Sequence, residues 1–90
     1  SVTRDIAILV NDEVLAWDIE QTIKENGGKT LEDIKLFDVY KGKQVPEGFK
    51  SMAYSITFRA VDRTLTDDEV NKSMAKIVAA LEKRYNARLR

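Results

Sequence analysis

The stretch Phe37-Asp38-Val39-Tyr40, answered downstream by the run from Lys50 to Arg59, decides how this chain folds. Side chains in a strand alternate between two faces, so Phe37 and Val39 fall on one side and Asp38 and Tyr40 on the other. The downstream run repeats the split, with Met52, Tyr54, Ile56 and Phe58 opposite Ser51, Ala53, Ser55, Thr57 and Arg59. One face is oily and the other is small and polar. An outer face that merely met water would normally carry long Lys and Glu side chains. A row of Ser, Ala, Ser and Thr beside an Asp and a Tyr instead marks a platform that something flat can approach.

The whole chain sets the limits within which that platform works. Ninety residues make one domain, which buries a little over roughly 60% of its unfolded surface and has no room for a large internal cavity. There is no Cys and no His, which removes thiol nucleophiles, disulfides, zinc sites of the usual ligand type and the commonest general base at neutral pH. An autonomous hydrolase is therefore not expected. Fifteen basic and fifteen acidic residues balance to zero, so no long-range field draws in DNA or an anionic membrane, and any nucleic-acid contact must be local and shape-dependent. No apolar run approaches a membrane span, no signal peptide is visible, and the chain begins at Ser1. We read it as a soluble, cytoplasmic, single domain cut from a longer protein.

Working outward from the platform, Arg4 to Val10 alternates with Ile6, Ile8 and Val10 against Asp5, Ala7 and Leu9, the pattern of a half-buried strand. Val14 to Asn26 reads as a helix with Leu15, Ile19 and Ile23 in step, stopped by Gly27-Gly28. Leu31 to Lys41 is the second strand. A connection marked by Gly42, Pro46 and Gly48, with a basic tip from Lys41, Lys43 and Lys50, leads into the third, Lys50 to Val61. Thr66 and Glu69 have capping-box spacing, and Val70, Met74, Ile77, Leu81 and Tyr85 form one helical stripe ending near Arg84. Asn86 can take a left-handed turn into a last short strand, residues 87–90, with Leu89 inward.

The order βαββαβ, with two helices able to cover only one face of a four-stranded sheet, gives an α+β ferredoxin-like sandwich. The first and third strands then lie centrally, so Ala7 and the run from Ser51 to Thr57 floor the open face. Asp38 and Tyr40 rise on one edge, and Arg88 and Arg90 on the other. Such a floor, flanked by an aromatic, a carboxylate and two guanidiniums, suits an unstacked base and its phosphates.

The segments RD (4–5), FDVY (37–40), G (42), KS (50–51), RTLTDDE (63–69) and the terminal RLR resemble the C-terminal ferredoxin-fold anticodon-binding domain of phenylalanyl-tRNA synthetase β chains. The likeness runs through the whole chain in order and spacing. It departs at two points: the Pro that commonly leads the first strand is absent, and Asn86 stands where a Gly is common. The resemblance implies an anticodon stem-loop binding module for tRNA(Phe), within a class II ligase that uses ATP and Mg. That enzyme's catalytic centre lies in an α subunit, in an α2β2 tetramer. It also implies that Asp38 and Tyr40, Ser51 and Ala7 on the adjacent floor, and the C-terminal Arg88 and Arg90 form the RNA-binding set. No catalytic residue and no metal ligand are expected in the domain.

Each of these residues has a plainer role to set against the functional one. From the residues alone, Tyr40 serves equally as an edge-shielding aromatic or a stacking platform, and the resemblance favours stacking. Asp38 could discourage edge aggregation, yet a carboxylate also accepts from the adjacent N–H donors of a guanine Watson–Crick edge, which adenine does not present. We favour the reader. Ser51 and Ala7 are small and passive, Ser51 with one hydrogen bond to offer. Arg88 and Arg90 are candidates for phosphate contacts despite their place at a chain end, where tails commonly fray. Trp17 reads as partly buried under the first helix or as an interface residue.

Other functions of the same architecture fit less well. An RRM-type binder needs aromatics on the open faces of its first and third strands, whereas Tyr54 and Phe58 point to the core. A small phosphatase needs an anion cradle where Asn11-Asp12-Glu13 offers the opposite charge. The retained alternative is a small-molecule-sensing or structural domain.

Overall fold

A computed structural model describes residues 1–89 of the chain. The elements follow the expected order: β1 (Val2–Asn11), α1 (Ala16–Gly27), β2 (Leu31–Tyr40), β3 (Phe49–Phe58), α2 (Asp67–Tyr85) and β4 (Arg88–Leu89). The strands pair antiparallel in the order β2-β3-β1-β4, with β1 and β3 central. Arg90 lies outside the described residues.

Alternation along the central strands produces the core. Ile8 and Val10 from β1 and Met52, Tyr54, Ile56 and Phe58 from β3 are buried beneath Ile19 and Ile23 of α1 and Val70, Ile77 and Leu81 of α2. Tyr54 is fully covered. Its hydroxyl donates to the Ala16 carbonyl at 3.5 Å, and burial, with a contribution from Glu20, pushes the phenol well above its ordinary range. The start of α2 carries the complete capping box, Thr66 accepting from the Glu69 N–H while the Glu69 carboxylate reaches back to the Thr66 N–H. At the other end of α2, Asn86 adopts φ 58, and its N–H caps the Glu82 and Leu81 carbonyls. The two helices are tied together through buried Thr22, whose hydroxyl donates to the Asp18 carbonyl and meets the Tyr85 hydroxyl at 3.2 Å.

The third strand stops at Phe58 instead of running to Val61, which is 95% exposed in the bend that follows. Four side-chain placements also depart from the sequence reading, each for a local reason. Leu15 is the N-cap of α1 and 62% exposed, so the apolar stripe of that helix begins at Ile19. Phe37 is the extra residue of a β-bulge. The register against β3 passes from Leu36 opposite Tyr54 directly to Asp38 opposite Ala53, which takes Phe37 out of the pairing and leaves it 53% exposed. Leu89 pairs with core-facing Ile8 but stays 54% exposed, because β4 is a two-residue edge strand; the buried apolar side chain at that end is Ala87. Trp17 is not tucked under α1. It stands 65% exposed, which leaves the interface reading.

Candidate nucleic-acid interface

The face of the sheet opposite the helices is organised in cross-strand rows, and register decides which residues share a row. Tyr40 on β2 is paired with Ser51 on β3, Ser51 with Leu9 on β1, and Leu9 with Arg88 on β4. With strands about 4.8 Å apart, this row runs about 14 Å from the aromatic to the guanidinium. The neighbouring row holds Asp38, Ala53 and Ala7. Directly paired residues project to the same side. Ala7, Ser51, Asp38, Tyr40 and Arg88 therefore meet on one surface, and Arg90 falls outside the described residues. The bulge at Phe37 brings this about. By restoring pairing at Asp38, it sets Asp38 and Tyr40 beside Ala53 and Ser51 while Val39 turns to the side of Met52.

The floor is flat for reasons of side-chain size. Ala7 and Ala53 are half-buried, and Ser51, lying between Leu9 and Tyr40, is only 6% exposed. Ser51 thus closes the floor rather than standing out of it. At the rim, Tyr40 is 38% exposed. Asp38 is exposed and has no ion-pair or side-chain hydrogen-bond partner among the described residues. Arg88 is likewise exposed without an ion-pair partner among them. The far end of the face is less hospitable to phosphate, because Asp33 and Asp5 flank the rows of Thr57 and Ser55 there.

Gly42 sets the attitude of the Tyr40 ring. A Cβ placed at Gly42 would lie 2.7 Å from Tyr40 Cζ and 3.2 Å from Cε2, closer than carbon atoms pack. The ring therefore rests directly on the glycine backbone. Reading at period two does not reach this contact, because Gly42 lies beyond the strand. The only signal for it was its place in the FDVY-x-G segment.

The basic tip is weaker than its composition indicated. Lys41 is engaged with Asp12 at 2.5 Å, and Lys50 is paired with buried Val10, which puts it on the helix side of the sheet. The ion pair joins the β1–α1 turn to the loop after β2, a junction reinforced where Asp12 N–H donates to the Gly48 carbonyl at 2.8 Å. Arg4, Arg63 and Asp67 are engaged within the domain. Arg4 approaches Asp67 at 3.6 Å, and Arg63 pairs with Glu69 at 2.6 Å. No group of three or more potential metal ligands is present among the described residues, and no helix there is long and apolar enough to cross a membrane.

At the Arg88 end the platform deepens into a cavity of about 360 Å³ between the sheet and the end of α2. Sequence reasoning missed it, since its lining comes from five separate segments.

Comparison with known proteins covers the full length of the chain. Residues 1–90 match the family model of the ferredoxin-fold anticodon binding domain. The chain is 62% identical over 90 residues to the phenylalanine–tRNA ligase β subunit of Clostridium tetani, 50% to that of Clostridium acetobutylicum and 46% to that of Bacillus subtilis. In each case all of this chain is aligned, and it spans 11% of the relative's length.

Proposed function

The chain belongs to the ferredoxin-fold anticodon-binding domain family, and from that premise we propose that it is the tRNA-gripping domain of a phenylalanine–tRNA ligase β subunit. In this reading the open face of the sheet takes the anticodon loop of tRNA(Phe). The supporting observation is the row structure of that face: an exposed aromatic and an exposed carboxylate at one edge, a floor of Ala7, Ala53 and Ser51, and an exposed guanidinium at the other edge, neither charge ion-paired among the described residues. Tyr40 stacks on a base, Asp38 accepts from the N–H edge of a guanine, and Arg88, with Arg90, meets phosphate.

The chain would be one domain of a longer β chain, working in the cytoplasm beside an α subunit in an α2β2 assembly. Aminoacylation by this class II enzyme, with its ATP and Mg²⁺, belongs in this reading to the α subunit; the domain contributes substrate binding and positioning. The exposed Trp17 and Leu15, on the helix side, leave the open face clear for RNA.

The reading is tested by titrating the isotopically labelled chain with an anticodon-arm hairpin of tRNA(Phe) and with a variant carrying adenine for the loop guanine. Asp38→Asn keeps the side-chain size but replaces one acceptor with a donor that opposes the guanine N–H groups. It should weaken the guanine hairpin selectively and narrow the margin between the two, with an unchanged melting temperature. Equal losses on both hairpins would remove the reading role from Asp38. Amide shifts confined to the helix side would overturn the open-face assignment altogether.

A further inference from the structure

We propose that the cavity at the Arg88 end of the open face is a second base-binding subsite, taking one more unstacked nucleobase of the RNA whose neighbour stacks on Tyr40. The inference rests on the open-face reading and extends it to a site 14 Å across the sheet, about three strand spacings away. Leu9 connects the two. It is paired with Ser51 on one side and Arg88 on the other, and it forms part of the cavity lining. A strand of RNA crossing the floor from Tyr40 therefore arrives at Leu9 and Arg88, which line the cavity.

Its size and chemistry fit one base. About 360 Å³ lies near the lower end of the roughly 300–1,000 Å³ of small-ligand pockets, enough for a base with part of its sugar and too small for a helix or a peptide segment. The Phe49 ring, 38% exposed, and the Pro46 and Tyr85 rings supply flat apolar walls. Three polar groups converge on them from Asn11, Asn86 and Arg88. The Asn11 side-chain oxygen Oδ1 already accepts from the Glu13 N–H at 2.9 Å, so its NH₂ remains to donate to a base edge. Asn86 presents both amide functions, and Arg88 supplies the charge for a phosphate. Among the described residues no carboxylate lines the cavity, so a free amino acid would find no acidic side chain of theirs to pair with its ammonium.

The walls are also held before any ligand arrives. Phe49 N–H donates to the Pro46 carbonyl at 3.1 Å, the Tyr85 hydroxyl donates to the Asp18 carbonyl at 3.2 Å, and Asn86 is fixed by its left-handed cap. Pre-positioned walls spare the ordering cost that otherwise weakens small sites.

The test uses the chain, Tyr40→Ala and Phe49→Ala with a set of anticodon-arm hairpins, each abasic at a single loop position. Two loop positions should each cost wild type about tenfold in affinity when the base is removed. The penalty at one should disappear in Tyr40→Ala and the penalty at the other in Phe49→Ala. If Tyr40→Ala behaves so while Phe49→Ala matches wild type on every hairpin, the cavity is not a subsite although the open face binds RNA. If the wild-type chain does not bind, or neither variant differs from it, both readings fall. Ring resonances of Phe49 and Tyr85 in the unmodified chain give an independent readout that needs no variant to fold. They should shift on adding the intact hairpin and not on adding phenylalanine; the reverse would overturn the proposal in favour of an amino-acid sensor.

Discussion

One side of β3 is sealed and the other is open, although the same ten residues carry both. Met52, Tyr54, Ile56 and Phe58 are 1% exposed or less beneath the two helices, whereas Ala53, Ser55 and Thr57 lie half-buried under nothing but each other. The pleat enforces the separation, since a slip of one residue would exchange every side chain between the faces. Stability and recognition are thereby assigned to different atoms of one strand, and substitutions on the two sides should have different phenotypes.

The largest effect is expected on the sealed side. Ile56 is fully buried, and Ile56→Ala should cost about 2–5 kcal/mol of stability through lost transfer energy and the cavity left behind. In a domain of this size that lowers Tm by at least about 10 °C. Hairpin affinity, corrected for the folded fraction in thermal melts, should not change. A direct loss of affinity in the folded protein would mean that the two faces communicate and that the separation is incomplete.

On the open side the pattern should invert. Tyr40→Ala should cost about 1–3 kcal/mol of RNA binding, with little dependence on which base is stacked. Its melting temperature should stay close to wild type, since surface substitutions away from special features move stability by about 0.5 kcal/mol or less. A melting point that falls in step with affinity would make Tyr40 an edge shield, the plainer of its two roles.

Gly42→Ala sharpens this further. Gly42 is exposed and does not have positive φ, so alanine meets no backbone strain there. Its Cβ would nevertheless intrude on the Tyr40 ring, which must rotate away from its seat. Binding should fall by about 1 kcal/mol, a part of what the full stack supplies, while thermal melts stay near wild type. Unchanged affinity would show that the ring re-seats on binding and that its attitude in the free domain carries no information.

How much of this was legible in the sequence depended on whether a residue's position could be settled by its near neighbours. Alternation placed Ile8, Val10 and the two faces of β3 from Ser51 to Phe58 correctly, and the capping box fixed the start of α2, because each is a local rule with a strong periodic signal. Alternation also set Asp38 and Tyr40 on the open face, but it carried Phe37 into the oily row, because a bulge inserts a residue without leaving a mark in composition. Lys41 and Lys50 looked like a basic tip until the register and Asp12 gave one a partner and the other a different face. The anticodon-binding reading itself came from the resemblance; parity alone left stacking and edge-shielding equal at Tyr40. The cavity at Arg88 was out of reach, since residues from β1, the loop before β3, β3 itself, the end of α2 and β4 meet only once the chain has folded.

The smallest expected effect returns to the helix side and concerns acid. The Arg63 guanidinium, which donates to Glu69 at 2.7 Å, together with the Thr66 backbone N–H, holds the Glu69 carboxyl below its ordinary value of 4.5. A carboxylate whose folded pKa is lowered stabilises the fold at every pH above its unfolded value, and that contribution fades as pH falls through the folded one. The cap of α2 should therefore hold unchanged from neutrality down to about pH 4.5 and weaken below it. Glu69→Gln keeps a side chain able to reach back to the Thr66 N–H but removes the titration, so its melting curve should lose the part of the acid decline that belongs to this site. Both Glu69 and Arg63 are accessible to solvent, so the difference should be small and should shrink further in concentrated salt. Hairpin affinity at neutral pH should be untouched, because the pair stands away from the open face. If wild type and Glu69→Gln decline identically in acid, the capping box holds α2 through its geometry alone.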